Sequence, residues 1–179
     1  HDLTNGGRTS FLNRSPIHVD KMLTPGHFFT AYIVSDFFVP NAKDYVWQIF
    51  IFSNLVDLDH LLGMLRIFMM SHTDRKNVTI DNIVDWCRTS IHEPIGMLIL
   101  MALLGTLWLS GIKSPLIPLA AIGIVVHYIV DFLTVHTRPF DPIDRTMVIL
   151  FCDTVKRRFW VELVWTVIAG ILFLLAYYI

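Results

Sequence analysis

The chain alternates long apolar stretches with short polar connections, and this pattern predicts five membrane-spanning helices. The apolar stretches cover residues 25–39, 45–69, 91–111, 115–135 and 159–178. Most of them approach the roughly 20 apolar residues that a helix needs to cross a bilayer. Pro25 suits the first turn of the first helix, and Pro40 ends that helix. We therefore expect an all-α integral membrane bundle of about five segments, forming a single domain over residues 22–179.

The composition agrees with this prediction. Hydrophobic residues make up 54% of the chain, charged residues only 16%, and the mean hydropathy is +0.57. These values lie outside the usual range of soluble domains and disfavour the alternative of a soluble all-helical protein with a large core. The net charge of −1 gives no indication of nucleic-acid binding. Two cysteines, Cys87 and Cys152, imply no disulfide framework.

Residues 1–21 have a different character. They are rich in Asn, Gly, Ser and Arg and show no apolar periodicity. We expect either a disordered tail or an expression leader, in which case Met22 would be the natural start.

The basic residues alternate between the two sides of the predicted bundle. The connection after the first stretch has only Lys43, and the one after the third has only Lys113. The other two connections carry most of the positive charge, in Arg75, Lys76, Arg88, Arg138, Arg145, Lys156, Arg157 and Arg158. Because basic loops stay in the cytoplasm, we expect loops 70–90 and 136–158 to be cytoplasmic in a plasma or inner membrane.

Histidine and aspartate side chains are predicted to gather at this cytoplasmic face. In an up-and-down bundle, the ends of even helices and the starts of odd helices share one side. The residues placed there are His27, Asp57, Asp59, His60, His92, His127 and Asp131. Imidazoles and carboxylates collected in an apolar wall favour a metal site, since ionisable groups within a membrane are costly without a function.

The local spacing separates stronger ligand candidates from weaker ones. His127 and Asp131 are four residues apart and share one helix face. On an ideal helix, Asp57 and Asp59 point about 200° apart. Both carboxylates can therefore face one metal only if the helix breaks or two ions are bound. Asp57 and His60 are the better ligand candidates, and Asp59 could orient a histidine or act as general base.

Structural roles remain open for the same residues. His127 and Asp131 could be a hydrogen-bonded pair that holds two helices together. Asp57 and His60 could form a polar helix end at the water interface, and His27 and His92 could each be ordinary interfacial residues.

Four short motifs resemble the LexA-regulated, inner-membrane metal-dependent hydrolase family. Gly26-His27 matches that family's early Gly-His, and residues 56–60 match its Pro-Asp-Ile-Asp-His with Val56 in place of proline. The family's Gly-x-x-x-His-x-x-x-Asp, followed by Leu-Thr, is matched in full by Gly123, His127, Asp131, Leu133 and Thr134. The family's His-Arg-Gly-x-Thr-His motif is the one that this chain matches least well. Cys87, Arg88 and His92 stand at the positions of its first His, its Arg and its second His.

The resemblance implies a membrane hydrolase that uses a metal-activated water. The implied ligands are His27, Asp57, His60, His92, His127 and Asp131 around one or two divalent ions, with Asp59 and His60 in catalysis. Zinc suits such mixed nitrogen and oxygen ligands best, and manganese and iron also fit. A weaker similarity to zinc-dependent phospholipases C, which also use a His-x-x-x-Asp helix, suggests a phosphoester of a phospholipid or another amphiphile as substrate. A metal-ion transporter or channel and a non-catalytic metal-binding scaffold remain alternatives.

Overall fold

The computed structural model describes residues 24–71, 90–134 and 155–179, together with positions 143 and 148. The expected tail or leader at residues 1–21 lies outside this part of the chain. Within it, the protein is all-helical, as predicted. The six α-helices are α1 (Thr24–Phe38), α2 (Val46–Asn54), α3 (Leu58–Met69), α4 (Pro94–Leu109), α5 (Leu116–Thr134) and α6 (Val155–Tyr178). Short 3-10 turns, Ala42–Tyr45 and Ser90–His92, precede α2 and α4.

Proline and glycine residues lie at or just beyond the ends of several helices. Pro94 begins α4, where its missing N–H leaves no hydrogen bond unmade. Gly111 follows α4 with a φ of 97°, a left-handed conformation that favours glycine, and the chain then turns into α5. Pro40 follows the end of α1 by two residues.

The second apolar stretch differs from the prediction of one helix over residues 45–69. It is divided into α2 and α3 by a turn at residues 55–57, and the N–H of Leu58, the first residue of α3, donates to the carbonyl of Leu55. His92 also differs, since it ends a 3-10 turn instead of opening α4. Both departures fall at polar candidate residues.

Helix α5 is the centre of the bundle. It packs against α1, α2, α4 and α6, and α1 packs against α2 and α6. The main core joins Ala31 and Tyr32 of α1, Ile49 of α2, and Leu119 and Val126 of α5.

Two helices of the described residues are long and apolar enough to cross a membrane: all of α5, and Phe159–Tyr178 within α6. Half of the α5 segment is buried, whereas only 11% of the α6 segment is. Helix α4 is equally apolar in character but has 16 residues.

Candidate metal centre

The candidate metal centre lies where four segments of the bundle meet. These segments are the first turn of α1, the turn between α2 and α3, the 3-10 turn before α4, and the last two turns of α5. The structure brings all seven predicted residues into this region, and six of them form two groups of three. The inner triad consists of His27, His127 and Asp131, and the outer triad consists of Asp57, His60 and His92; the potential ligand atoms of each lie within 4.8 Å of one another.

Asp131 joins the two triads through its two carboxylate oxygens. Its Oδ1 lies 3.4 Å from Nε2 of His27, in the inner triad. Its Oδ2 lies 2.7 Å from Nε2 of His92, in the outer triad, and 3.8 Å from Nε2 of His127. The Asp131 side chain is buried away from bulk solvent.

His127 is held in one orientation by a backbone contact. Its Nδ1 lies 2.8 Å from the carbonyl oxygen of Ser53 on α2, which assigns the proton to Nδ1. The Nε2 lone pair then faces Asp57, whose Oδ1 is 3.6 Å away. Metal-ligating histidines are commonly held in this way, so His127 could hold an ion through Nε2. The ring of His27 stacks on His127, with centroids 4.2 Å apart.

His92 lies between two carboxylates. Its Nδ1 is 3.2 Å from Oδ1 of Asp59, and its Nε2 is 2.7 Å from Oδ2 of Asp131. A neutral imidazole carries one N–H and can donate to only one of them. If Nδ1 donates to Asp59, the Nε2 lone pair faces a carboxylate oxygen, and a cation bound by both atoms would remove their repulsion.

The spacing of the inner triad suits a divalent ion. Two ligand atoms bound about 2.1 Å from a tetrahedral zinc are about 3.4 Å apart. The separation of His27 Nε2 and Asp131 Oδ1 matches that value. Buried carboxylates and imidazoles are stable when they are paired or coordinate a metal. Each triad offers two histidines and one carboxylate, so the arrangement has ligands for two ions.

The two triads differ in their access to the outside. The side chains of Asp57 and His60 are 34% and 36% exposed, whereas the three inner ligands are buried. His60 Nε2 lies 3.9 Å from Asp57 Oδ1, and His60 Nδ1 lies 3.7 Å from Asp59 Oδ1. A ligand or substrate can therefore approach from the Asp57 and His60 side.

Two glycines allow the segments that carry these residues to approach closely. A Cβ on Gly123 would lie 2.9 Å from the carbonyl carbon of Phe52 and from the backbone nitrogen of Ser53. Only glycine at this position lets α2 come near enough for the Ser53 carbonyl to reach His127. A Cβ on Gly96 would lie 2.1 Å from the carbonyl oxygen of Ile91, so glycine is needed where α4 packs on the turn that carries His92.

The structure refines the sequence expectations for several of these residues. The predicted 200° separation of Asp57 and Asp59 does not apply, because the helix breaks at residues 55–57 and both carboxylates reach the centre. Asp59 contacts His92 Nδ1, and both its orienting role and its participation in catalysis stay predictions. The contribution of Ser53 was missed because a backbone carbonyl leaves no signal in the sequence.

Cys87 and Arg88, two of the motif positions, lie outside the described residues. Comparison of the chain with protein-family models, with curated proteins and with solved structures gave no match.

Proposed function

We propose that this protein is a membrane-embedded, metal-dependent hydrolase that acts on an ester, specifically a phosphoester, of a phospholipid or another amphiphile. The observation that carries the proposal is the pair of His-His-Asp triads joined by the two oxygens of Asp131. Hydrolytic centres that clamp a phosphoester typically use two ions about 3.5–4 Å apart. Two neighbouring triads could hold such a pair of ions. The motif resemblance to the inner-membrane hydrolase family favours the same chemistry.

The exposed surface supports membrane insertion. Large apolar side chains are solvent-exposed along α4 and α6, including Leu98, Ile99, Leu103, Ile171 and Leu175. Exposed apolar side chains in such number are unfavourable in water and fit contact with lipid. We propose five membrane passes, with the second broken at residues 55–57 and the metal centre at the cytoplasmic face of the plasma or inner membrane.

The proposed ligands are His27, His127 and Asp131 for an inner ion and Asp57, His60 and His92 for an outer ion. Zinc suits these nitrogen and oxygen donors best, and manganese or iron would also be accepted. A divalent ion held there supplies Lewis-acid activation of water and of the scissile ester. The protein's own contribution is to fix the ligand orientations, through Ser53 and Asp59, and to admit the substrate at the exposed side of His60.

The location of the centre favours an amphiphilic substrate. Because all ligands lie at one end of the bundle, a lipid headgroup could reach them while its chains stay in the bilayer. A permeation path would instead need polar groups through the membrane depth, and α4 is apolar from Ile95 to Leu104. This distribution favours hydrolysis over transport.

Metal analysis of purified protein, prepared without chelators, tests the proposal. We expect one or two equivalents of zinc or a similar ion, together with hydrolysis of a phospholipid or phosphodiester in a substrate screen. Asp131→Ala should lose the metal and the activity while remaining monodisperse, because this carboxylate belongs to the inner triad and also contacts His92 of the outer triad. Asp36→Ala, at an exposed position near the other end of α1, serves as the control and should retain both.

The absence of bound metal in wild-type protein would refute the metal centre. Stoichiometric metal without hydrolysis of any substrate tested would support a binding scaffold instead. Full metal content in Asp131→Ala would show that Asp131 is not a required ligand.

A further inference from the structure

A small cavity lies beside the inner triad, between α1, α5 and α6. Its volume is about 10 Å³, and it is lined by the apolar side chains of Val130 and Trp165 together with the polar residues His27, Thr134, Glu162 and Thr166, with Gly26 at its edge. This volume is close to the minimum that holds one water molecule, and a buried water needs two to four polar partners. The polar side chains in this mostly apolar wall supply enough partners for a single ordered water.

The histidine in this cavity has unmet hydrogen-bonding capacity. The His27 side chain is fully buried, and neither of its ring nitrogens has a hydrogen-bond partner among the described residues. Its Nε2 faces Asp131, which leaves Nδ1 for another partner. A buried ring nitrogen without a partner destabilises the fold, and metal-ligating histidines almost always donate their second nitrogen to a carboxylate, a carbonyl or water.

Glycine at position 26 makes the cavity possible. A Cβ on Gly26 would lie 2.8 Å from Oγ1 of Thr166 and would occupy this space. The neighbouring wall is rigid, because Trp165 Nε1 donates to Thr30 Oγ1 over 3.0 Å and Thr30 Oγ1 donates to the Gly26 carbonyl over 2.8 Å. These hydrogen bonds join α6 to α1 one helical turn after Glu162.

We propose that this cavity binds one water molecule, which joins the Nδ1 of His27 to the carboxylate of Glu162. Glu162 then acts as a positioning residue: it orients the His27 ring and increases the basicity of Nε2 toward an ion in the inner triad. Glu162 is buried and belongs to neither triad. The inference rests on the proposed metal centre for its effect, but the water bridge itself exists with or without the ion.

The first test measures the affinity of the whole chain for Co²⁺ and Zn²⁺, with the visible absorption of Co²⁺ as the signature of ligand geometry. We expect Glu162→Leu to lower the affinity roughly 10- to 100-fold and to change the Co²⁺ spectrum. Glu162→Gln, which still accepts a hydrogen bond from water, should lose less.

Gly26→Ala fills the cavity and should lower the metal affinity as much as Glu162→Leu does. Gly170→Ala is the matched control, because its Cβ would crowd Phe29 in the same α1–α6 contact without entering the cavity. Affinities of Glu162→Leu and Gly26→Ala within twofold of wild type would overturn the proposal.

The second test requires no metal. In metal-stripped protein, a double-mutant cycle compares the shift in Tm caused by Glu162→Leu with and without His27→Ala. If the two residues act through one water, the shift should be clearly smaller once His27 is gone. Equal shifts would overturn the bridge. Failure of the wild type to bind metal would refute the hydrolase proposal alone, since the cycle judges the bridge independently.

Discussion

At the scale of single residues, the centre depends on which atom of each side chain faces inward. His127 offers Nε2 because its Nδ1 is bound to the Ser53 carbonyl, and His92 is placed by Asp59 on one side and Asp131 on the other. The spacing of His127 and Asp131 was enough to predict that they share a helix face. The orientation of the rings could not be predicted, because it is fixed by partners 74 and 33 residues away in the sequence.

Asp59→Asn is expected to weaken metal binding without unfolding the protein. The amide oxygen accepts a hydrogen bond from His92 Nδ1–H more weakly than a carboxylate does, so the ring loses both orientation and basicity. Loss of such a supporting carboxylate typically lowers metal affinity about 10- to 100-fold, which competition with a chromophoric chelator measures. Asp44→Asn, at an exposed position in the Ala42–Tyr45 turn, should change nothing. An unchanged affinity in Asp59→Asn would show that His92 is held by other contacts.

At the scale of helices, the break at residues 55–57 changes the chemistry of the second apolar stretch. A continuous helix would point Asp57 and Asp59 in nearly opposite directions. The turn instead lets Asp57 approach His127, while Asp59 approaches His92. The sequence contains no proline or glycine at this turn, so hydrophobic periodicity alone predicted an unbroken helix. The helix is interrupted where Asp57 contacts α5 and Asp59 contacts the turn before α4.

Gly123→Ala tests the close approach of α2 and α5. The added methyl group would meet backbone atoms of Phe52 and Ser53, which cannot rotate away, so the helices must separate. We expect a loss of about 1–3 kcal/mol in stability, as for other overpacked contacts, and weaker metal binding because the bond between Ser53 and His127 lengthens. Thermal unfolding in detergent and metal titration measure the two effects.

Gly105→Ala in α4 is the matched control for that substitution. A Cβ at this position would meet no atom within 4 Å, so the change should leave metal affinity unaltered and raise helix stability by up to about 1 kcal/mol. Equal behaviour of the two variants would show that the contact at Gly123 is not tight.

At the scale of the whole molecule, the all-helical architecture followed from apolar periodicity, and the two ends of α1 followed from Pro25 and Pro40. The bounds of α1 and α5, and of most of α6, agree with the predicted apolar stretches within a few residues. The packing order, with α5 at the centre, could not be predicted because α4, α5 and α6 are similarly apolar. The number of membrane passes and the orientation of the bundle in the membrane stay predictions from hydropathy and from the distribution of basic residues.

The predicted sidedness can be measured by cysteine labelling. In a variant with Cys87→Ser and Cys152→Ser, single cysteines are introduced by Lys43→Cys, Lys113→Cys or Arg157→Cys. The alternation of basic residues predicts that Lys43→Cys and Lys113→Cys react with a membrane-impermeant reagent in intact cells. Arg157→Cys should react only after the cells are permeabilised. Labelling of Lys43→Cys and Arg157→Cys from the same side would contradict the five-pass topology.

The unequal exposure of the two triads has a kinetic consequence. An ion held by Asp57 and His60 is open to competing chelators, whereas an ion held by His27, His127 and Asp131 can leave only after the helices part. Brief dialysis against a chelator should therefore yield a half-loaded protein, and isotopic exchange should show one fast and one slow population. A single exchange rate for all bound metal would mean that both ions leave by the same route.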